Sequence, residues 1–517
     1  MIKVHNIWVS AFIVFVASAC SLIIELVAGR IMAPYVGVSL YTWTSIIGVV
    51  LAGISLGNYL GGKIADRWGS RRTLGILLFL AGLSSLEILG AMALLDAQPF
   101  NLTLLPKILF LSAAIFFPPS CILGTISPVI VKLTLENLKE AGNIVGKIYA
   151  FGALGSICGT FLTGFVLIAW LGTRTIVFIV ALILVAMAVA FGEWRRSKVD
   201  LAVMLIMLAG FSGYAYSEVQ GGALQSRYLK ETNYYSIKVV DTPMSDNTLR
   251  KDLVLDHLIH SYTWIDDPKR LGYDYERIYA EITKYVALTK TAGLKTLFIG
   301  GGGYTFPRYV EAVYPGSHID VVEIDPEVTS TAFQYLGLRR DTTIRTFNQD
   351  ARLFFDDNIR ADGSAAVKYD LVMGDAFNDL SVPYHLTTYE FDLKIRNSLE
   401  PDGYYMANVI DNARSGEFLR GFANTLKQAF AHVYIFGIGS AWNSNVASTY
   451  VVLAGNTPLN VAQLTASSTN DTGRPVGTMM TQDELRAFLQ RGRQIIFTDD
   501  YAPVDNLVAP LFIERGL

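Results

Sequence analysis

The sequence is poor in cysteine and in charge. Three of its 517 residues are cysteine, Cys20, Cys121 and Cys158. All three lie inside apolar runs, so their spacing predicts neither a zinc site nor a disulfide framework, and we expect no metal. Charged residues make up 17% of the chain and leave a net charge of −3. Because this balance provides no basic face for a phosphate backbone, nucleic acid is an unfavourable partner.

Charge is scarcest in the first 217 residues, which contain long apolar runs. A bilayer core about 30 Å thick needs about 20 apolar residues per helix. The runs of suitable length are roughly 7–33, 39–62, 73–95, 106–131, 143–170, 174–193 and 199–216. The first run is too long for a secretory signal peptide, and the last is the shortest. We therefore predict a multi-pass membrane domain of about seven helices over 1–217, with the lipid bilayer as a partner.

Basic residues lie in alternate connections between these runs. They follow the second, fourth and sixth runs, as Lys63, Arg67, Arg71, Arg72, Lys132, Lys139, Lys147, Arg195, Arg196 and Lys198. Short basic loops stay cytoplasmic, so the amino terminus is expected inside. A complete seventh span at 199–216 would place the rest of the chain outside, and the charge rule favours this side. If 199–216 only re-enters the membrane, the rest of the chain is cytosolic.

Small and ionisable residues in the runs predict how these helices pack. Gly53, Gly57 and Gly61 are spaced by four and let another helix approach closely, as do Gly155 and Gly159. Residues 57–72 resemble the loop between the second and third spans of major-facilitator transporters. Ionisable residues in or at the ends of spans usually face a cavity or a partner. Here they are Glu25, Arg30 and Glu87.

The second half has the patterns of a soluble domain. Short β-branched and aromatic runs between 234 and 262 predict a small antiparallel sheet, in a domain bounded at 218–270. A helix is predicted at 274–290, and strands then alternate with helices over 271–517. The predicted strands are 296–299, 319–324, 344–348, 371–373, 404–409, 433–438 and 449–453. This alternation predicts a Rossmann-like, mostly parallel α/β sheet, whose ligands bind where the winding reverses.

Polar or flexible residues follow the first four of these strands. Gly300, Gly301, Gly302 and Gly303 follow the first strand, where glycine lets a backbone approach a ligand. Glu323 ends the second strand about 20 residues later, where a carboxylate can accept both hydroxyls of a ribose. Asp350 and Asp375 follow the third and fourth strands. The series is moderately specific for a nucleoside.

Seven segments in this order resemble the spermidine synthase family of polyamine aminopropyltransferases, over roughly 228–455. They are residues 231–239 (ETNYYSIKV), 253–259 (LVLDHLI), 274–276 (DYE), 297–303 (LFIGGGG), 322–326 (VEIDP), 349–351 (QDA) and 369–376 (YDLVMGDA). The membrane spans and the segment 498–505 (TDDYAPVD) make the chain look like bacterial proteins described as fused transporter/spermidine synthases.

The resemblance implies a site and a reaction. Gly300, Gly301, Gly302, Glu323, Asp350, Ala351 and Asp375 would bind the nucleoside, with Glu323 on the ribose and Asp350 on the adenine. Asp375 would be the acid/base residue, and Tyr275 would line the junction of the two substrates. The co-substrate would be decarboxylated S-adenosylmethionine, and the acceptor a polyamine such as putrescine. A homodimer is possible.

The chemistry explains these residue types. A sulfonium makes its adjacent carbon an electrophile, and an amine attacks only after losing a proton to a base such as Asp375. Asp274, Glu276 or Asp379 could pair with a distal ammonium. The rings of Tyr235, Tyr275 and Tyr304 would attract both cations.

The chain departs from the family at Gly303, where soluble members have an aspartate that contacts the aminopropyl amine. A glutamine expected near Tyr235 is also missing, and both changes put transfer to putrescine in doubt. Two alternatives therefore stay open. One is a methyltransferase that uses intact S-adenosylmethionine. The other is a transporter or sensor that binds a polyamine or nucleoside without turnover.

Overall fold

The computed structural model describes most of the chain. The described residues are 6–37, 39–97, 104–135, 138–193, isolated positions between 202 and 213, 228–256, 258–358, 365–376, 382–439, 447–468 and 476–514. They form two compact units. The first, the helical unit, comprises Met1–Gln225 and Lys230–Tyr235, and the second, the α/β unit, comprises Ser226–Leu229 and Ser236–Leu517.

Six helices in the described part of the helical unit are long and apolar enough to cross a membrane. They are Ile7–Val36, Leu40–Trp68, Arg71–Met92, Leu105–Thr134, Ala141–Leu167 and Thr173–Phe191. Each matches one of the first six predicted runs. The predicted seventh run, 199–216, lies outside the described residues apart from the isolated positions.

Local sequence explains where these helices start and break. Asn6 and Ser39 accept backbone N–H groups at the starts of the first two helices, and Gly37 separates them with a φ of 72°. The fourth predicted run is interrupted at Thr125, whose N–H bonds the Ile122 carbonyl at 3.1 Å. It is therefore two segments, Leu104–Gly124 and Ile126–Thr134. The fifth run contains a π-helical turn over Thr163–Leu167, between the helices Ala141–Leu162 and Ile168–Leu171.

The glycines predicted to allow close packing do so. A Cβ on Gly57 would lie 2.1 Å from the Cys121 carbonyl oxygen, and one on Gly155 would lie 2.1 Å from the Phe15 carbonyl oxygen. The helix Leu40–Trp68 therefore packs directly on Leu104–Gly124, and Ala141–Leu162 packs on Ile7–Val36. Any larger residue would force these pairs apart.

A four-stranded sheet in chain order comes first in the α/β unit, except that residues 230–231 of its first strand are grouped with the helical unit. Its strands are β1 (Tyr228–Glu231), β2 (Ser236–Pro243), β3 (Leu249–Leu255) and β4 (Leu258–Thr263). The pairs β2–β3 and β3–β4 are antiparallel, as the sequence predicts.

An eight-stranded sheet forms the core of the unit. Its strands are β5 (Lys295–Ile299), β6 (His318–Val322), β7 (Arg345–Phe347), β8 (Tyr369–Gly374), β9 (Leu399–Asp411), β10 (His432–Ile438), β11 (Ser448–Gly455) and β12 (Gly477–Met479). Their order across the sheet is β12-β10-β11-β9-β8-β5-β6-β7. The five strands β7, β6, β5, β8 and β9 are parallel, and the pairs that involve β10, β11 and β12 are antiparallel.

Helices of the α/β unit alternate with these strands. Their bounds are Asp274–Ala287, Thr305–Val313, Pro326–Tyr335, Ala351–Asp357, Tyr389–Asn397, Phe418–Ala429, Val461–Ser467, Gln482–Leu489 and Val504–Glu514. Six apolar helices followed by a small antiparallel sheet and a Rossmann-like sheet confirm the predicted fold class. The division into domains at 1–217, 218–270 and 271–517 stays a prediction.

The winding of the sheet reverses between β5 and β8. β6 continues on the far side of β5, whereas β9 continues on the far side of β8. Ile299 and Gly374 are paired at the ends of these two strands, and the Asp375 N–H donates to the Ile299 carbonyl at 2.9 Å. The glycine loop and Asp375 therefore leave the sheet side by side, at the position where open α/β sheets bind ligands.

Candidate active site

The glycine loop needs glycine for two physical reasons. Gly300 and Gly302 have φ values of 95° and 48°, a region that side chains disfavour. A Cβ on Gly300 would also lie 2.5 Å from the Asp375 carbonyl oxygen. The loop therefore turns tightly beside Asp375.

Glu323 supports this loop from the end of β6. Its Oε2 accepts N–H groups of Gly301 at 2.7 Å and Gly302 at 3.4 Å, while Oε1 accepts the Asp325 N–H at 2.9 Å. Burial raises the pKa of the Glu323 carboxyl, and these backbone N–H groups oppose the rise because they stabilise the charged form. The carboxylate is thus held against the loop, where the sequence predicts ribose contacts.

Asp350 is the N-cap of the helix Ala351–Asp357. Its Oδ1 accepts N–H groups of Arg352 at 2.8 Å and Leu353 at 3.3 Å. Oδ2 lies 2.9 Å from Nε2 of His385. Capping orients this carboxylate, and His385 is a neighbour that the sequence did not indicate.

Asp375 has a hydrogen bond on each carboxylate oxygen. Tyr275 Oη donates to Oδ2 at 2.7 Å, and Asn408 Nδ2 donates to Oδ1 at 2.9 Å. Burial raises the pKa of Asp375, while the donors Asn408 and Tyr275 oppose the rise. Burial also raises the pKa of the Tyr275 hydroxyl well above its usual value, so this hydroxyl keeps its proton and donates a hydrogen bond to Asp375.

Glu276 is a second buried carboxyl near Asp375. It is 3% exposed, and its Oε2 accepts the Tyr273 N–H at 3.2 Å at the start of the helix Asp274–Ala287. Burial, reinforced by the charge of Asp375, raises the pKa of Glu276 to about 8. The structure therefore brings two carboxyls with raised pKa values together.

A cleft opens beside these groups. It is lined by His260, Ser261, Tyr275, Glu276, Tyr279, Phe298, Gly300, Gly301, Gly302, Gly303, Thr305, Phe306, Pro307, Met373 and Asp375. Among these described lining residues, Glu276 and Asp375 are the only carboxyls, and none is Lys or Arg. An acidic cleft with aromatic walls suits a cationic ligand.

Four other residues have predicted substrate roles, and none of them is among the described lining residues. The Tyr304 ring is completely buried, and its hydroxyl bonds Thr329 and Thr346 at 3.0 and 3.1 Å, which favours a structural role. Asp274 is exposed and pairs with Arg277 at 3.2 Å. Tyr235 belongs to the helical unit. Asp379 lies outside the described residues.

Gly303 lies against β4 in a way that excludes a side chain. A Cβ at this position would lie 1.9 Å from Ser261 Oγ and 3.1 Å from Thr263 Oγ1. Ser261 Oγ is itself buried without a hydrogen-bond partner among the described residues. Glycine at position 303, which departs from the family pattern, therefore leaves room for the Ser261 hydroxyl.

Sequence reasoning missed Asn408, Tyr279 and His260 as members of the site. Asn408 is a polar residue within β9, whose neighbours Ala407 and Val409 are fully buried, and this contrast was a usable signal. Tyr279 lies one helical turn after Tyr275, and its hydroxyl is 3.4 Å from the Gly374 carbonyl oxygen. No local pattern distinguishes His260.

Comparisons with known proteins agree with the motif resemblance. The chain is 33% identical over 144 residues to a polyamine aminopropyltransferase of Vibrio vulnificus, covering 28% of this chain and 46% of that protein. It is 24% identical over 335 residues to polyamine aminopropyltransferase 2 of Ralstonia nicotianae, covering 61% and 62%. The residues after 228 make up less than 61% of the chain, so this match also includes residues of the apolar first half.

The chain is also similar to methyltransferases and to a solved structure. The human eEF1A lysine and N-terminal methyltransferase is 28% identical over 150 residues, covering 28% of this chain and 21% of that protein. A probable spermidine synthase structure from Corynebacterium glutamicum has 21% identity and a TM-score of 0.46, covering 53% of this chain and 97% of that one. No protein-family model matches the chain.

The similarity to polyamine aminopropyltransferases inferred from the motifs is thus confirmed. The chain spans less than half the length of the Vibrio vulnificus relative.

Proposed function

We propose that the α/β unit is a polyamine aminopropyltransferase. It would transfer an aminopropyl group from decarboxylated S-adenosylmethionine to an amine such as putrescine, and release 5′-methylthioadenosine. The observation that carries this proposal is the Tyr275–Asp375–Asn408 arrangement at the point where the sheet winding reverses. The relatives named as polyamine aminopropyltransferases support the same reaction.

The residues divide between the two substrates. The loop Gly300–Gly302 and Glu323 would hold the nucleoside, with Glu323 as the ribose acceptor and Asp350 directed at the adenine amino group. Asp375 would take the proton from the attacking amine, because its raised pKa makes it a better base than an ordinary aspartate. Tyr275 and Asn408 would orient its carboxylate.

The acceptor is proposed to be cationic because the cleft is acidic. A diamine bound with one nitrogen at Asp375 has a second ammonium to place, and Glu276 is the other carboxyl among the described lining residues. A nearby ammonium favours the charged form of Glu276. Binding of a diamine is therefore expected to release a proton from Glu276.

A methyltransferase is the second candidate, favoured by Gly303. An aspartate side chain at position 303 would clash with Ser261 Oγ, which lies almost where the Cβ atom would be. The donor tail would therefore meet a neutral hydroxyl there, and the similarity to a lysine methyltransferase agrees with this alternative.

One experiment separates the two reactions. The purified full-length protein is incubated with decarboxylated S-adenosylmethionine or with S-adenosylmethionine, each with and without putrescine, and the nucleoside product is identified by mass spectrometry. Methylthioadenosine formed only with the decarboxylated donor and the amine supports aminopropyl transfer. S-adenosylhomocysteine from the intact donor supports methyl transfer. The Asp375→Asn protein is the control for non-enzymatic breakdown of the donor.

We also propose that the α/β unit lies on the outer side of the membrane. The segment Lys230–Tyr235, which leads into β2, is bound to two helix ends of the helical unit. Glu231 accepts the Thr173 N–H at 2.6 Å and the Thr173 hydroxyl at 2.9 Å, at the start of the helix Thr173–Phe191. Arg30 donates to the carbonyls of Thr232 and Asn233.

These contacts involve the helix ends that lie on the opposite side of the helical unit from the basic connections. Arg30 is near the C-terminal end of the first span and Thr173 begins the sixth, whereas Asp66 and Lys132, which pair at 3.1 Å, end the second and fourth spans beside basic loops. Because basic loops stay cytoplasmic, the segment Lys230–Tyr235 is proposed to lie on the outer side.

A further inference from the structure

A cavity of about 280 Å³ lies entirely within the helical unit. Three helices and the break at Thr125 surround it. Its lining includes Ser21, Asn58 and Tyr149 among aliphatic residues such as Leu22, Ile126 and Ala153. The lining therefore presents hydroxyl and amide groups among aliphatic side chains.

The cavity is at mid-depth of the helices that form it. The lining residues 14–22 are central in Ile7–Val36, and residues 148–156 are central in Ala141–Leu162. Gly124 and Ile126 flank the break in the fourth span, where the regular helical hydrogen bonds are interrupted. Broken helices near the bilayer midplane commonly provide backbone groups to bound ligands.

Ser21 is a polar residue of the cavity wall. It is 8% exposed, it lines the cavity, and its buried Oγ has no hydrogen-bond partner among the described residues. A buried hydroxyl without a partner costs free energy, and a side-chain rotation that turns it towards a ligand in the cavity would remove the cost. Serine hydroxyls in helices often bond the preceding turn, but Ser21 does not.

The lining carries no ionic charge at neutral pH. Among the described residues that line the cavity there is no Asp, Glu, Lys, Arg or His. Glu25 continues the same helix face one turn beyond Ser21 and Leu22, and it is outside the lining. An ammonium placed in a site of this kind would lose its hydration without gaining a counter-ion, which costs several kcal/mol.

We propose that this cavity binds a small uncharged molecule that carries hydroxyl, amide or carbonyl groups. Such groups can pair with Ser21 and with the other polar lining residues, while the aliphatic residues contact the remainder of the molecule. The proposal excludes polyamine cations as the ligand, and it does not depend on the reaction proposed for the α/β unit.

The test compares the rates at which an uncharged and a cationic thiol reagent modify a cysteine at position 21. Ser21→Cys is introduced into the full-length chain with its three native cysteines replaced by alanine. The protein reacts with 2-hydroxyethyl methanethiosulfonate, which is uncharged, or with 2-trimethylammonioethyl methanethiosulfonate, which is cationic. Each rate is divided by that of Ser70→Cys, an exposed position in a helix connection. Ser112→Cys is the matched control, because Ser112 is also buried, has no partner for its Oγ among the described residues, and does not line the cavity.

We expect the uncharged probe to modify Ser21→Cys at least tenfold faster than Ser112→Cys, and the cationic probe to be at least tenfold slower than the uncharged one at Ser21→Cys. Adding Ala153→Phe, at the cavity wall, should slow the uncharged probe tenfold. Ala150→Phe, exposed on the same helix but outside the lining, should not.

Equal rates of the uncharged probe at Ser21→Cys and Ser112→Cys would overturn the site. A cationic probe that reacts as fast as the uncharged one, or protection by putrescine, would overturn the ligand class.

Discussion

Tyr275 Oη donates a 2.7 Å hydrogen bond to Oδ2 of Asp375, although the two residues are 100 positions apart in the chain. Tyr275 lies in the first turn of Asp274–Ala287, and Asp375 directly follows β8. The bond joins the helix that precedes the large sheet to the strand end where the winding reverses. It therefore places a hydrogen-bond donor on the carboxylate that we propose as the base.

Replacing Asp375 by asparagine should lower turnover by roughly 10²–10⁴, the usual contribution of a general base. Nucleoside affinity should stay within about twofold, because the amide preserves the shape of the side chain. Steady-state rates and calorimetry with methylthioadenosine measure the two effects separately. Asp402→Asn, at an exposed position of β9, is the control. Unchanged turnover would remove Asp375 from the mechanism.

Tyr275→Phe and Asn408→Ala should each move the acid limb of the pH–rate profile to higher pH. Both wild-type side chains donate to Asp375 and lower its pKa, so removing either one raises the pH at which the base becomes charged. The profile of kcat/KM against pH reports this shift. A loss of rate without a change in the acid limb would show that these residues act only on packing.

Glu323→Gln should weaken methylthioadenosine binding at least tenfold. Charge-assisted hydrogen bonds contribute about 1.5–3 kcal/mol each, and the amide also brings an NH₂ group towards the N–H of Gly301 or Asp325. Calorimetry on the full-length protein measures the affinity. Glu327→Gln, in the helix that follows β6, should bind normally. Equal affinity in both variants would disprove the ribose assignment.

Glu276 should make the ligand-free protein less stable as pH rises between about 4.5 and 8. Its pKa is raised to about 8 by burial, so the folded state binds more protons than the unfolded state in this window. Stability therefore falls with increasing pH. Thermal unfolding of the purified protein at pH 5.5 and pH 8.5 should show a smaller decrease in Tm for Glu276→Gln than for the wild type. An identical decrease in both proteins would contradict the assignment.

A cysteine at Ser467 should be labelled in intact cells by a membrane-impermeant thiol reagent. The chain used lacks Cys20, Cys121 and Cys158. Ser467 ends the helix Val461–Ser467 in the α/β unit, which we place outside. A cysteine at Ser70, in a basic connection, should react only after lysis. Labelling of Ser467→Cys only after lysis would place the α/β unit in the cytosol.

The sequence alone determined the features that depend on local pattern. Apolar run length predicted the six spans that the structure describes, and the spacing of Gly53, Gly57 and Gly61 predicted the close contact with a neighbouring helix. Alternation of strands and helices predicted the parallel sheet, and the glycines after β5 and the acids after β6, β7 and β8 followed from their positions at strand ends. These signals are local because burial, helix period and backbone freedom act over a few residues.

Only the tertiary structure decided which side chains meet. Asn408 reaches Asp375 because β8 and β9 are parallel neighbours, with Gly374 paired to Ala407. Tyr304 points into the core because its backbone is left-handed at the start of a helix. Ser261 excludes a side chain at Gly303, and Ser21 lines a cavity made by helices distant in sequence. Strand order and helix packing set these distances, and no single segment of the sequence contains that information.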